Sequence, residues 1–428
     1  MKILWIINTI LPYPAQKLNM KTSVFGGWLN SLLSELEKSK EIDKIAIVST
    51  YNGNELKKFV DKKITYYLSP VRNNVVFDKE TEKYMSMILK EYKPDLVHVH
   101  GTEYPHSLAI INECIRYNIK TVTSIQGLIS VYGHNNYYFA DISIKDILNN
   151  ITFRDIIRAD SIISQAKKFR KRGIYECESL RKTDFIVGRT SWDKANAYSI
   201  SGKEKYKKCN ESLRASFYEN EWNINNIERY TIFISQASYT IKGFHKMLFA
   251  ASILRKKFPE LKIYVAGTDV VKYNKSSFKE RLKLTGYGKY LKKIIKKYNL
   301  ENVIVFTGLL NEVQMVDRLL KSHVFVQASS IENSPNSLGE AMLIGMPCVA
   351  SYVGGTADML KDKEEGFLYP FSEENMLAKY VMDIFENDDL AISLGRNAKQ
   401  HAKITHDRKI NSKQMINIYK EVINENKK

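Results

Sequence analysis

Only four cysteines occur in the 428 residues, at positions 114, 177, 209 and 348, and they form neither a CxxC pair nor a metal-ligand spacing. That scarcity argues against a disulfide framework and predicts a reducing, cytosolic compartment. No apolar run approaches the roughly 20 residues that a membrane-spanning helix requires. The apolar start behind Lys2 is broken at Asn8 and lacks a small-residue cleavage pattern, so it reads as a first buried strand rather than a leader. Repeats and low-complexity tracts are absent. Acidic residues are in deficit: 65 Lys and Arg face 47 Asp and Glu, and the net charge of +18 is spread over both halves. This balance favours acidic partners, such as phosphorylated ligands or an anionic membrane surface, unless it reflects solvated lysine-rich faces. No nucleic-acid-binding motif accompanies it, and no nucleic acid is expected as a partner.

What is present is a globular composition, 44% hydrophobic, in a chain too long for one ordinary core. Short apolar runs alternate with longer amphipathic segments, the pattern of parallel α/β sheets. Strands are predicted at 2–8, 44–49, 95–100, 120–125 and 184–187, then at 231–235, 262–266, 303–307, 324–327 and 348–351. The polar, strand-poor stretch Asn220–Arg229 separates the two sets. The expected domains are therefore 1–225, 226–404 and a tail, 405–428, whose Met415, Ile418, Tyr419 and Val422 form a helical face suited to packing back on the first domain. Two doubly wound domains of this kind hold ligands at the strand C-termini, in a cleft between them.

The most informative stretch runs from Ser330 to Glu340. It reads as a polar loop feeding a helix, with Ser334 as N-cap, Pro335 in the first turn, and Gly345 and Pro347 as the stop. A helix start presents unpaired N–H groups and partial positive charge to an anion. Glu332 and Glu340, eight positions apart, bracket that anion site. A phosphate flanked by hydroxyl-bearing groups fits it, which describes a nucleotide sugar.

Other segments admit two readings each. Gly26-Gly27 opens a helix after the first strand and serves either a close phosphate approach or a turn. Lys242-Gly243, soon after the first strand of the second half, offers a point charge for a diphosphate or is one surface lysine among many. Gly354-Gly355 follows the strand after the Glu340 helix and is sufficiently explained as a tight turn. His98 and His100 share one face of a strand, which leaves a shared metal open beside a packed pair. After Gln126 comes an aromatic, polar stretch with Tyr132, His134 and Asn135, suited to sugar rings and hydroxyls or to an ordinary loop. Lys167–Arg172, continuing a segment with Ile156, Ile157, Ile162 and Ile163, reads as a basic amphipathic helix, either lying on an anionic membrane or solvated on its basic side. Lys279–Lys297, with Leu282, Leu291 and Ile295, is a second basic stretch.

Taken in order, Gly26-Gly27, Lys242-Gly243, Glu332-x7-Glu340 and Gly354-Gly355 resemble the retaining glycosyltransferases of family 4 over nearly the whole chain, and Phe367–Pro370 resembles that family's closing strand. The resemblance implies a GT-B fold of two Rossmann-like domains, the first for the acceptor and the second for a nucleotide-sugar donor. It implies that Glu340 binds ribose hydroxyls and Glu332 the transferred sugar. Ser334 and the backbone at Asn336, Ser337 and Leu338 would surround the donor, Lys242 and Gly243 would face the leaving diphosphate, and Gly26 and Gly27 would close over it. Two positions depart from the family pattern: Gln236 stands where an arginine is usual, and Gln126 where a histidine is. Gln126 keeps the capacity to bond a sugar hydroxyl but not to move a proton. His134, Asn135, Tyr132 and His100 are candidate acceptor or sugar contacts.

The implied activity is metal-independent transfer with retention to a lipid-linked or polysaccharide acceptor in cell-surface glycan assembly, at the inner face of the membrane. No cofactor beyond the nucleotide-sugar co-substrate is expected, since Asp-x-Asp, the cation-binding pair of many sugar transferases, does not occur. A GT-B nucleotide-sugar epimerase and a non-catalytic glycan- or polyanion-binding protein are the alternatives.

Overall fold

A computed structural model describes residues 1–20, 26–71, 75–271 and 283–425. The start of the second basic stretch, Lys279 to Leu282, therefore lies outside the described residues, while Gly286–Lys297 is a helix. The chain forms two compact units: unit 1 comprises Met1–Val131, Phe169–Leu213 and His406–Lys428, and unit 2 comprises Tyr132–Lys168 and Arg214–Thr405.

Unit 1 is built on β1 (Lys2–Ile7), β2 (Lys44–Tyr51), β3 (Lys57–Asp61), β4 (Ile64–Pro70), β5 (Leu96–His100), β6 (Lys120–Ser124), β7 (Phe185–Gly188) and β8 (Tyr206–Lys208). They are ordered 3-4-2-1-5-6-7-8, all parallel except β3 against β4. Because side chains alternate along a strand, Ile3, Trp5 and Ile7 enter one core and Leu4 and Ile6 the other. Such two-sided burial makes these strands read as unbroken apolar runs. The helix Gly27–Lys38 covers the first face and Lys79–Tyr92 and Pro105–Arg116 the second.

The tail forms the helix Arg408–Asn424, which buries Met415, Ile418, Tyr419 and Val422 in unit 1. It is also pinned by a polar chain. Trp5 Nε1 donates to Tyr419 Oη (3.1 Å), Tyr419 lies 2.6 Å from His98 Nδ1, and His98 Nε2 lies 2.7 Å from Ser124 Oγ.

Unit 2 holds β9 (Thr231–Ile234), β10 (Lys262–Ala266), β11 (Ile304–Gly308), β12 (Val324–Gln327), β13 (Cys348–Ser351) and β14 (Phe367–Tyr369), ordered 11-10-9-12-13-14. The ladders between these strands are parallel.

Two features differ from the sequence expectation. The units divide at 213/214 rather than at 225, because Asn220–Arg229 is not a free linker: Trp222 is buried and donates from Nε1 to the Ser322 carbonyl (2.8 Å) and from its backbone to that of Ile344 (2.7 Å). The segment 132–168 belongs to unit 2, tied there by His245 Nε2 donating to the Ala140 carbonyl (2.7 Å) and Lys246 pairing with Asp141 (3.0 Å).

Burial holds His98 down to about 3 and His106 and His245 down to about 4, from an ordinary 6.5. These histidines fold neutral, so their stabilising contribution is complete above pH 6.5 and is lost as pH falls through the depressed values. Urea unfolding is expected to show stability dropping on acidification from about pH 7 to about pH 4.5, with each histidine worth on the order of 3 kcal/mol once fully charged. A flat profile over that window would contradict the assignment.

Candidate functional site

In unit 2 the strand order reverses between β9 and β12, and open α/β sheets take ligands at the carboxyl ends of the strands at such a point. Two loops leave the sheet there. The first, after β9, passes Ser235 and Gln236 into a short 3-10 turn, Thr240–Lys242, and then Gly243. The second, after β12, carries Ser329 to Pro335.

Glycines let these loops meet. Gly243 has φ +63, and a Cβ there would lie 1.6 Å from the Ala328 carbonyl oxygen. Gly354 has φ +51, and a Cβ there would lie 1.9 Å from the Glu332 carbonyl oxygen. That carbonyl accepts from the Gly355 N–H (3.0 Å), and the Ser330 N–H donates to the Ile241 carbonyl (2.8 Å). Any side chain at Gly243 or Gly354 would push backbone from backbone, which a rotamer change cannot relieve.

The clamp sets Lys242 Nζ 2.6 Å from Glu332 Oε1, which also accepts from Ser329 Oγ (2.7 Å). Burial works against the Lys242 charge, and the Glu332 carboxylate more than offsets it, so the ammonium is held above its ordinary pKa. Lysine and carboxylate thus form a charged, preorganised pair at the sheet edge.

The helix after the second loop spans Asn336–Leu343. It starts one residue later than expected: Pro335 occupies the flanking position with extended ψ of 115, and Ser334 makes no cap. Gly345, at φ +80, ends it after about two turns. Ser337 Oγ lies 3.2 Å from Ser235 Oγ, linking the helix start to the first loop. Leu338 is buried, and Gln236 Nε2 donates to Ser238 Oγ (3.0 Å).

On the helix, Glu340 is gripped bidentately by Arg214, whose Nε and Nη2 reach Oε1 and Oε2 at 2.6 Å each. Arg214 lies over the Phe217 ring at 4.8 Å. Burial pushes the Glu340 carboxyl up, and the guanidinium opposes that push. The sequence reading missed Arg214, since no local spacing joins residues 126 positions apart.

The aromatic stretch also belongs to unit 2. The Tyr137 carbonyl accepts from Ser330 Oγ (2.7 Å), and the Tyr138 carbonyl accepts from Thr240 Oγ1, so both site loops hold it. Tyr132 begins this segment, with His134 and Asn135 exposed at the start of the turn Asn135–Tyr138.

Gly26, Gly27, His100 and Gln126 are in unit 1. Gly26, at φ +83, precedes the helix Gly27–Lys38, and a Cβ there would meet Thr9 Cγ2 at 2.8 Å. Gln126 Nε2 donates to Glu211 Oε1 (2.6 Å), and Glu211 Oε2 pairs with Arg189 (2.7 Å), two partners that sequence reasoning missed. His100 is buried against Trp5, Trp28 and His98, at centroid distances of 4.5, 5.5 and 3.7 Å. Both His98 nitrogens are engaged by Tyr419 and Ser124, while His100 packs among the rings with neither nitrogen hydrogen-bonded. Among the described residues, no three His, Cys, Asp or Glu side chains group to hold a metal. Unit 1 has its own cleft of about 490 Å³ at the ends of β1 and β2, lined by Asn8, Thr50, Asn52, Tyr104 and His106.

Residues 215–401 match the family model of glycosyl transferases group 1. N-acetyl-alpha-D-glucosaminyl L-malate synthase of Bacillus anthracis is 22% identical over 107 residues, 25% of this chain and 28% of that protein. The chain spans 28% to 38% of the length of the curated relatives it matches. Among solved structures, sucrose-phosphate synthase from Thermosynechococcus elongatus superposes with a TM-score of 0.69 at 14% identity, covering 98% of both chains. Anabaena HepE in complex with UDP-glucose gives 0.66 at 16% identity, covering 98% of this chain and 100% of that one. These likenesses span the whole chain and show the GT-B fold.

The Arg214–Glu340 pair yields a measurable consequence. Arg214→Ala strands a buried carboxylate and is expected to cost roughly 3 kcal/mol in urea unfolding. Arg214→Ala with Glu340→Ala is expected to cost less than the two single changes added together. Strict additivity would mean that the pair is not formed.

Proposed function

We propose that the protein is a retaining glycosyltransferase of family 4 type, moving a sugar from a nucleotide-sugar donor to a lipid-linked or polysaccharide acceptor in cell-surface glycan synthesis. The observation that carries this reading is the convergence of Lys242, Glu332, the Asn336–Leu343 helix start and Glu340 at the β9/β12 switch point. The group 1 family match over the same unit and a UDP-glucose complex of a neighbour in fold support it.

In this reading the donor diphosphate lies against the helix start, where first-turn N–H groups and the helix dipole favour negative charge. Lys242 neutralises the charge that builds on the leaving phosphate, and the fixed Glu332 partner keeps the ammonium aimed. Catalysis then rests on preorganised electrostatics rather than on a carboxylate nucleophile. With Gln236 and Gln126 in place of a cation and an imidazole, Lys242 is the cationic side chain assigned to the phosphates, and no metal is assigned. Glu340 receives the ribose hydroxyls, which must share its oxygens with Arg214 or displace them. Unit 1 takes the acceptor, in keeping with the amide, hydroxyl and aromatic lining of its cleft. The protein works at the cytoplasmic face of the membrane.

A panel of nucleotide sugars, scored by thermal stabilisation and donor turnover, tests the reading. One donor is expected to stabilise the protein and to be consumed with acceptor, giving a product of unchanged anomeric configuration by proton NMR. An epimerase would instead convert the donor without any acceptor. Lys242→Ala is expected to lower turnover by about 10²–10³-fold, the usual loss for one preorganised charge contact. Near-normal turnover in Lys242→Ala and Glu340→Ala together would defeat the site assignment.

A further inference from the structure

Two consecutive short helices of unit 2 are built inside out. The helices Ile144–Asn149 and Phe153–Arg158 turn Ile144, Leu148, Phe153, Ile156 and Ile157 to solvent, each between 52% and 70% exposed. Their inward side is Ile147, Asn150 and the carboxylate of Asp155. Asp155 closes a capping box with Thr152 and packs on the helix Gly286–Lys297, where a Cβ on Gly286 would come within 2.5 Å of its Oδ2. Lys289 Nζ of that helix donates to the Asn149 carbonyl (3.2 Å), and Asn150 Nδ2 donates to the Asp146 carbonyl (2.7 Å). The apolar face is therefore held rigidly outward.

Single exposed aliphatic residues are ordinary, but five large ones on adjoining helices make a patch of the kind that marks an interaction site. Its surroundings are basic. The helix Gly286–Lys297 carries Lys289, Lys292, Lys293, Lys296 and Lys297 and no acidic residue. Of the acidic residues of 132–168, Asp141 and Asp160 are paired with Lys246 and Arg154, Asp155 is turned inward in its cap, and Asp146 bonds the Ser143 hydroxyl. Arg154 and Arg158 lie on the same helix as Phe153, Ile156 and Ile157, and the lysine-rich helix Gly286–Lys297 adjoins it through Lys289, so the apolar face has a positive border that suits anionic headgroups.

We propose that this face docks the protein on an anionic lipid bilayer. The five apolar side chains enter the boundary between headgroups and acyl chains, and the lysines of Gly286–Lys297 meet the lipid phosphates. The docking element differs from the helix expected from sequence. Ala159, at φ +47, ends the helix that carries Ile156 and Ile157, and Ile162 turns inward in the next one, so Lys167–Arg172 is not part of the same face. The inference rests on the membrane location proposed above and is independent of the reaction assigned to unit 2.

Flotation of the full chain with phosphatidylcholine vesicles, with and without phosphatidylglycerol, tests it. The protein is expected to float with the anionic vesicles only and to be partly released by salt. Phe153→Ser, Ile156→Ser and Ile157→Ser combined is expected to cut vesicle binding by at least about tenfold with melting temperature unchanged, as these side chains face water. Lys293→Glu with Lys296→Glu, at exposed positions, is a second variant expected to weaken binding to anionic vesicles. Failure of the parent protein to float, or unchanged flotation of either variant, would overturn the proposal. So would a change in oligomeric mass on the serine substitutions, which would identify a protein–protein surface instead.

Discussion

The geometry of unit 2 depends on two backbone contacts that only glycine permits. Gly243 lies against the Ala328 carbonyl and Gly354 against that of Glu332, so the loop after β12 is gripped on both sides by loops from neighbouring strands. Neither contact involves a charged side chain, yet together they decide where Lys242 and Glu332 sit. A lysine on a free loop would lose much of its electrostatic value to side-chain entropy and solvent screening. Here the two glycine contacts hold the loop, and with it the lysine against the carboxylate.

Arg214 and Glu340 add a second constraint of a different kind. A bidentate guanidinium–carboxylate pair is directional, and in a buried setting it is costly to break from one side only. The pair keeps the Glu340 carboxylate oriented at the helix. Arg214 is also the first residue of unit 2 after the chain leaves unit 1 at Leu213, so the carboxylate is tied to a crossing point of the chain.

Much of this was legible in sequence because it is local. Strands buried on both faces, such as β1 and β5, announce themselves as apolar runs, and the tail helix announces its buried face by spacing. The Glu332–Glu340 stretch is legible because loop, helix start and both carboxylates lie within one short segment. What was missed is either weakly patterned or distant. Strand β3 has only Phe59 and Val60 as apolar residues and turns into β4 through Lys62 at φ +52, not through a recognisable Asn-Gly turn. The partners Arg214 of Glu340 and Glu211 of Gln126 are joined by tertiary folding alone. The place of 132–168 in unit 2 rests on backbone carbonyls at 137, 138 and 140, which carry no side-chain signature, and on the Lys246–Asp141 pair between residues far apart in sequence.

That segment gives unit 2 a further coherence. At one end, the Tyr137 and Tyr138 carbonyls are bonded by Ser330 and Thr240, from the two loops that carry Glu332 and Lys242. At the other, the helices Ile144–Asn149 and Phe153–Arg158 present their apolar residues outward while Asp155 rests on the helix Gly286–Lys297. Between them, His245 and Lys246 fasten Ala140 and Asp141 to the helix Phe244–Lys257, whose first turn follows Gly243 directly. One continuous stretch thus joins the charged pair at the sheet edge to the exposed apolar face.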